Sequence, residues 1–377
     1  MVDSLRSKWQ LRFGSVKPEV IVRAPGRVNI IGEHTDYNEG WVLPGAMSRS
    51  VYLLVSKNKT AQYWIADNIQ EEYNGDTKTD EETKPLWVKL VYGALKVYGL
   101  QNESFNILIG GDLPVGAGVS SSSSMVCGLL FALQKIFGKT ESKEKIALLG
   151  SRVEREIIGL QGGIMDQYAI MLSKAHHVMF LDCRTRTYDF IPAEMPGCKW
   201  ILINTKVKHQ LIDSDYNERA NECQRAVAII QHQYPEVKSL RDVTAGMLAS
   251  FHLPPALLRR ARFVLEENAR VHEMVMALKN KDAAKAGQLL KASHKGLKLD
   301  YEVSCKELDY LVDIAHKFDG VYGARMMGGG FGGCVLCLVN EIHAMEFLEH
   351  ASEEYQATFE ILPEVIECEL RDGVTIE

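Results

Sequence analysis

From Pro114 to Ser124 the chain reads PVGAGVSSSSS, and Met125, Val126, Leu129, Leu130, Leu133, Ile136 and Phe137 follow at the three-and-four spacing of an amphipathic helix. Ahead of the loop, Phe105, Ile107 and Ile109 alternate with Asn106, Leu108 and Gly110 as they would along a strand. A glycine-rich turn therefore joins a strand to the first turn of a helix. Free backbone N–H groups converge there with the positive end of the helix dipole and a row of hydroxyls, which suits a phosphate chain. Gly116 and Gly118 fit this use, because close approach of a phosphate needs a bare backbone, often at positive φ. The residues alone leave two readings open, a nucleotide-binding loop or a solvated turn with a serine N-cap.

At 377 residues the chain exceeds one ordinary core, and two domains are expected at ~100–200 residues each. A formal net charge of −6, with no basic run to offset it, argues against a nucleic-acid partner and for a small-molecule one. The opening segment lacks the apolar stretch of a signal peptide, and no apolar run reaches the ~18 residues of a membrane span. A cytoplasmic chain with no membrane partner is expected. The eight cysteines then read as reduced and structural. Cys334 and Cys337 form the one CxxC, inside an apolar strand-like run where an odd separation puts the thiols on opposite faces, which argues against a metal site.

After a short N-terminal helix, Val20 to Ala24 reads as a strand entering a turn at Pro25 and Gly26, and Val51 to Val55 as another strand. Asn74 to Pro85 is a charged, turn-rich excursion expected to be an exposed loop. Lys143 to Leu160 is helical in pattern, and His177 to Leu181 resembles a buried strand. The pattern breaks near Met195, Pro196 and Gly197, so the domain boundary is expected there, dividing 1–198 from 199–377. Beyond it, helical periodicity runs over Asp215 to Gln233, Arg259 to Leu278, Ala283 to Leu290 and Lys306 to His316. With a glycine-rich turn and two late strands, the second half reads as helices on a mostly antiparallel sheet. The fold class expected is α+β in two domains, the first built on a mixed sheet.

Two apparent motifs fail on context. Gly138-Lys139-Thr140 imitates the end of a P-loop, but Leu133 stands where the first glycine should be and the tripeptide follows a helix instead of opening one. Gly328 to Gly333 satisfies GxGxxG, yet the strand-like CVLCLV follows it where a dinucleotide-binding turn needs a helix. Protein-kinase HRD and DFG tripeptides are absent.

Further segments are too polar for their surroundings. Gly26 to Asn38 (GRVNIIGEHTDYN) gathers Arg27, Glu33, His34, Asp36 and Asn38 around Ile30 and Ile31, a density of donors and acceptors that suits a polyol. A capped loop with a surface ion pair is the plainer reading, and His34 by itself reads as structural. Gly159 to Tyr168 (GLQGGIMDQY) sets Asp166 in a small, largely apolar wall. A carboxylate there can orient or deprotonate an attacking hydroxyl, with Arg27 keeping it ionised; a helix N-cap is the alternative. Glu154, on a helix upstream, is either an outer ligand for Mg²⁺ or a solvated glutamate.

Taken in order along nearly the whole chain, these segments resemble the GHMP small-molecule kinase superfamily and, within it, the galactokinase family. GRVNIIGEHTDYN is similar to that family's signature, PVGAGVSSSSS to the superfamily phosphate loop, and GARMMGGGFGGC (Gly323 to Cys334) to its third motif. GGIMDQY, YNERANEC (Tyr216 to Cys223), EENARV (Glu266 to Val271) and SHKGLKLDYEVSCKELD (Ser293 to Asp309) match in order and spacing. Lys89 and Leu90 stand where the family carries Asn-Tyr, Met327 where it carries Thr, Ala220 where it carries a second Arg, and Glu39 where Gly or Asp is commoner.

The resemblance implies phosphoryl transfer from ATP to galactose with Mg²⁺, giving galactose 1-phosphate and ADP. It implies that Arg27 and Asp166 flank the anomeric hydroxyl, and that Glu33, His34, Asp36, Gly163 and Tyr216 contact the sugar. Gly116, Ala117, Gly118, Val119, Ser120, Ser121, Ser122 and Ser123 would cradle the phosphates, with Ser122 and Glu154 near Mg²⁺, Trp87 beside adenine, and Gly328 to Gly330 closing the site. A monomer is expected. Competing readings keep the chemistry with another sugar, arabinose or N-acetylgalactosamine, or make the chain a non-catalytic sugar sensor.

Overall fold

The computed structural model describes residues 1–59, 62–75, 84–208 and 212–377. Most of the charged excursion expected between Asn74 and Pro85, namely 76–83, lies outside the described residues. The first half runs α1 (Val2–Phe13), β1 (Val20–Asn29), β2 (Trp41–Val42), β3 (Pro44–Asn58), β4 (Gln62–Ala66), β5 (Glu71–Gly75), α2 (Leu86–Val97), β6 (Ser104–Gly111), α3 (Ser121–Ile136), α4 (Lys143–Ile157), α5 (Met165–Leu172), β7 (His177–Asp182) and β8 (Tyr188–Pro192). The second runs β9 (Cys198–Lys208), α6 (Ile212–Gln231), α7 (Ala245–Ser250), α8 (Pro255–Lys279), α9 (Ala283–Leu299), α10 (Lys306–Lys317), β10 (Val321–Met327), β11 (Gly332–Asn340), α11 (Ala344–Phe359), β12 (Glu364–Glu367), β13 (Leu370–Arg371) and β14 (Thr375–Ile376).

The large sheet has the order β14-β1-β3-β6-β4-β5, with β13 also on β3, and is mixed because β4 runs parallel to β6. Period-two alternation sorts its faces. Val22 and its partner Leu53 enter the main core beneath α3, while Ile21 and its partner Leu54 face α1 with Leu5 and Trp9. Gly128 lets α3 approach closely, since a Cβ there would stand 2.4 Å from Leu53 Cδ1 and 2.9 Å from Ala24 Cβ. Leu129, Leu130 and Leu133 of α3 are fully buried, and their burial contributes about 1.5–3 kcal/mol each.

The second sheet, β10-β11-β9-β12, is antiparallel throughout and covered on both faces. Cys334, Leu336 and Leu338 point into the main core, and Val335, Cys337 and Val339 into a separate core under α6, α8, α10 and α11, so the two thiols of the CxxC do lie on opposite sides. A small sheet, β2-β7-β8, stands between.

One expectation is corrected. The chain does not turn at Pro25 and Gly26: β1 continues to Asn29 through a bulge between Pro25 and Arg27. Proline is tolerated at such a bulge, and the extra residue re-aims the side chain that follows, here Arg27. Near the end of the chain, β13 and β14 return to the large sheet, pairing Leu370 with Met47 and Ile376 with Val22.

Candidate active site

A cleft of about 260 Å³ opens where the end of β1, the N-terminus of α3 and the turn between β10 and β11 meet. The two glycine-rich loops touch backbone to backbone. A Cβ on Gly328 would stand 2.9 Å from Gly118 O, and one on Gly333 3.1 Å from Ala117 O. Both have positive φ, as do Gly116 and Gly118, so side chains are refused here on two grounds.

Arg27 and Asp166 form the floor. Arg27 is 5 % exposed, and its Nε and Nη2 reach the two Asp166 oxygens at 2.7 and 3.3 Å. A third contact runs from Arg27 Nη1 to Gly118 O, tying the pair to the glycine-rich loop before α3. Burial opposes the guanidinium's charge, but Asp166, Glu33 and Asp36 outweigh it and raise the Arg27 pKa above its ordinary value. Ser120, in the left-handed region at φ 63, donates its hydroxyl to Asp166 Oδ2.

The polar loop after β1 supplies one wall. Burial, then the Asp166 charge, pushes Asp36 up to about 7, and its Oδ1 accepts the Tyr37 N–H at 2.9 Å. His34 is 4 % exposed, and burial with the Arg219 charge lowers it to about 3, so the ring is neutral. Its Nδ1 is 2.8 Å from Tyr37 Oη. Tyr216 faces it with ring centres 5.3 Å apart. Glu33 is largely committed within the protein: Arg325 holds Oε2 at 2.6 Å, Asn29 holds the same oxygen at 2.7 Å, and the Gly328 N–H reaches Oε1 at 3.0 Å.

Glu154 lies at the inner end, between Ser123 Oγ at 2.6 Å and Gln167 Nε2 at 2.5 Å. Burial raises it to about 7, against the pull of hydroxyls from Ser123 and Ser122. Among the described residues no cluster of three or more His, Cys, Asp or Glu could hold a metal alone. One carboxylate beside serine hydroxyls, near a place for phosphate oxygens, fits Mg²⁺, which keeps several waters and takes few protein ligands.

Of the residues singled out from the sequence, Arg27, Glu33, His34, Asp36, Gly116, Gly118, Ser120, Ser121, Ser122, Glu154, Gly163, Asp166 and Tyr216 line this cleft together with Gly328 to Gly330. Ala117 and Val119 do not; both side chains enter the core, and the Val119 carbonyl accepts the Arg27 N–H. Ser123 is not among the lining residues, and its hydroxyl donates to Glu154 Oε1. Trp87 is set apart from the others, since its ring packs in the main core and its Nε1–H donates to Glu71 Oε2 at 2.5 Å. Gln167 escaped the sequence reading although it follows Asp166 within one motif, and Arg325 escaped it although it belongs to the third. No described helix is long and apolar enough to cross a membrane.

Comparison with known proteins points the same way. Residues 7–57 match the "Galactokinase galactose-binding signature", 88–174 the "GHMP kinases N terminal domain" and 274–357 the "GHMP kinases C terminal" family. The chain is 38 % identical to galactokinase of Staphylococcus carnosus, covering 99 % of both chains. It is 37 % identical to galactokinase of Thermotoga neapolitana, with 94 % of this chain and 99 % of that one covered. The crystal structure of Lactococcus lactis galactokinase complexed with galactose superposes over 99 % of both chains, at 31 % identity and a TM-score of 0.91. Methanococcus jannaschii mevalonate kinase, at 19 % identity and a TM-score of 0.68 over 95 % of this chain and all of its own, shares the fold.

Proposed function

The chain belongs to the galactokinase family of the GHMP kinases, and from that premise we propose how its cleft carries the reaction. That reaction moves the γ-phosphoryl group of ATP to the anomeric hydroxyl of galactose, giving galactose 1-phosphate and ADP. The single observation behind the assignment of roles is the two-pronged Arg27–Asp166 pair on the floor, tied through Gly118 to the phosphate loop. Phosphoryl transfer depends chiefly on positioning and charge neutralisation, and this junction supplies both.

Galactose lies against His34, Asp36, Gly163 and Tyr216, with Glu33 framing that wall. Its anomeric hydroxyl faces Asp166, which takes the proton as the oxygen bonds to the γ-phosphorus and the bond to the departing ADP oxygen breaks. Arg27 pairs with the carboxylate and shares the charge that develops. The backbone N–H groups of Gly116 to Ser122 and the N-terminus of α3 receive the phosphates. Ser122 and Glu154 would hold Mg²⁺, which when bound supplies positive charge to the phosphate chain. All eight thiols are free, in keeping with a reducing cytoplasm.

An ADP-release assay over galactose, arabinose and N-acetylgalactosamine, run on the parent and on Asp166→Asn, tests this reading. Galactose is the preferred acceptor, and the variant keeps its fold and loses about a hundredfold or more in turnover. Near-normal turnover in the variant removes Asp166 from the chemistry.

A further inference from the structure

The segment Glu266–Val271 takes no part in the chemistry above, yet two of its residues face the loop that carries His34 and Asp36. Glu267 and Asn268 lie inside α8 and are 0 % and 7 % exposed. Glu267 Oε1 accepts the backbone N–H of Gly32 at 3.0 Å, and Asn268 Oδ1 accepts that of Trp41 at 3.0 Å. Adjacent residues of one helix thus hold the first and last amides of the loop.

The grip has little slack. Ser293 Oγ reaches Glu267 Oε1 at 2.7 Å and Arg270 Nε reaches Oε2 at 2.6 Å, so the carboxylate is fixed from behind. Within the loop the buried Thr35 hydroxyl lies 2.8 Å from Gly32 O and 2.7 Å from Trp41 O, closing the neck between the two held ends. Both hinge glycines are required, since a Cβ on Gly32 would stand 2.8 Å from Trp41 O and one on Gly40 2.3 Å from Asn268 Oδ1. From the far side Arg241 donates to Glu39 O at 2.9 Å and lies 3.8 Å over the Trp41 ring. A buried carboxylate is a costly way to fill space, and what it supplies in return is a fixed direction for a particular backbone amide.

We infer that Glu267 and Asn268 are positioning residues for sugar recognition: they touch no substrate, and by fixing both ends of the Gly32–Trp41 loop they set where His34 and Asp36 stand. Preorganisation of this kind lowers the cost of binding a ligand with several hydroxyls. The inference rests on the proposal that galactose lies against His34 and Asp36.

The test measures the galactose KM, the ATP KM, kcat and the thermal midpoint for Asn268→Ala, Asn268→Asp and His34→Ala. Asn268→Ala raises the galactose KM about tenfold with ATP KM and kcat within about twofold, and Asn268→Asp, which keeps an acceptor for the Trp41 amide, recovers most of the loss. A lowered thermal midpoint with an unchanged galactose KM overturns the inference. If Asn268→Ala does not fold, Gly40→Ala, whose Cβ displaces Asn268 Oδ1, is read by the same criteria. His34→Ala separates the two levels. An unchanged galactose KM in that variant overturns the sugar placement and the inference with it, whereas a raised KM there beside an unchanged one for Asn268→Ala overturns the inference alone.

Discussion

A Cβ on Gly163 would stand 2.4 Å from the carboxyl carbon of Asp36, so the absence of a side chain at one position is what admits the carboxylate of the other. The two residues come from segments far apart in sequence, the loop after β1 and the turn before α5. Asp36 is raised by burial first and by the Asp166 charge second. Gly163→Ala forces Asp36 aside, and in steady-state kinetics the galactose KM rises about tenfold or more while the ATP KM holds. An unchanged galactose KM would show that Asp36 has no part in holding the sugar.

Asp36 also gives the free protein a signature in pH. Its folded pKa of about 7 lies above the ordinary 3.8. Between about pH 4 and pH 7 the folded state therefore binds a proton that the unfolded chain has released, and stability falls as pH rises through that window. Asp36→Asn removes this contribution. Chemical denaturation of the ligand-free protein at pH 5 and pH 8 should give a smaller difference for the variant than for the parent; equal differences would refute the assignment.

Arg325 and Glu33 join the second sheet to the loop after β1 with both side chains buried, 0 % and 1 % exposed. The guanidinium also donates to Ile30 O at 2.8 Å and Met326 O at 2.7 Å. Arg325→Met strands a buried carboxylate and is expected to cost about 3–5 kcal/mol. Adding Glu33→Gln recovers part of that loss, because no uncompensated charge remains. Strictly additive effects in a double-mutant cycle by urea denaturation would contradict this coupling.

Gly118→Val acts through backbone conformation more than through collision. A Cβ at this position meets only Met327 O at 3.5 Å, an ordinary contact, but the φ of +70° disfavours a β-branched residue. The loop should relax away from its conformation, weakening ATP about tenfold or more by calorimetry with a modest change in thermal midpoint. Unchanged nucleotide affinity would return the loop to the status of a solvated turn.

The glycine loop, the helix behind it and the amphipathic helices of the second half could be read from the sequence because each is a local device. Hydrophobic period, cap and turn residues fall within a dozen positions of one another. The bulge at Pro25 could not, since Pro-Gly is an equally good turn signal and only the pairing of β1 with β3 carries the strand onward to Asn29. For Trp87 no local pattern reveals that its ring packs in the main core and its N–H donates to Glu71.

The order of residues along the chain determined the α+β class, the glycine-rich turn into α3 and the set of polar side chains available for chemistry, because helix period, glycine freedom and donor inventory are short-range properties. Tertiary structure alone decided that Gly328 rests on Gly118, that Arg325 reaches Glu33, that α8 grips both ends of the loop at Gly32 and Trp41, and that the last strands return to the first sheet. Those contacts join residues far apart in sequence. Their formation depends on how burial of both faces of the second sheet fixes the relative placement of every element, a sum over the whole chain that no local pattern carries.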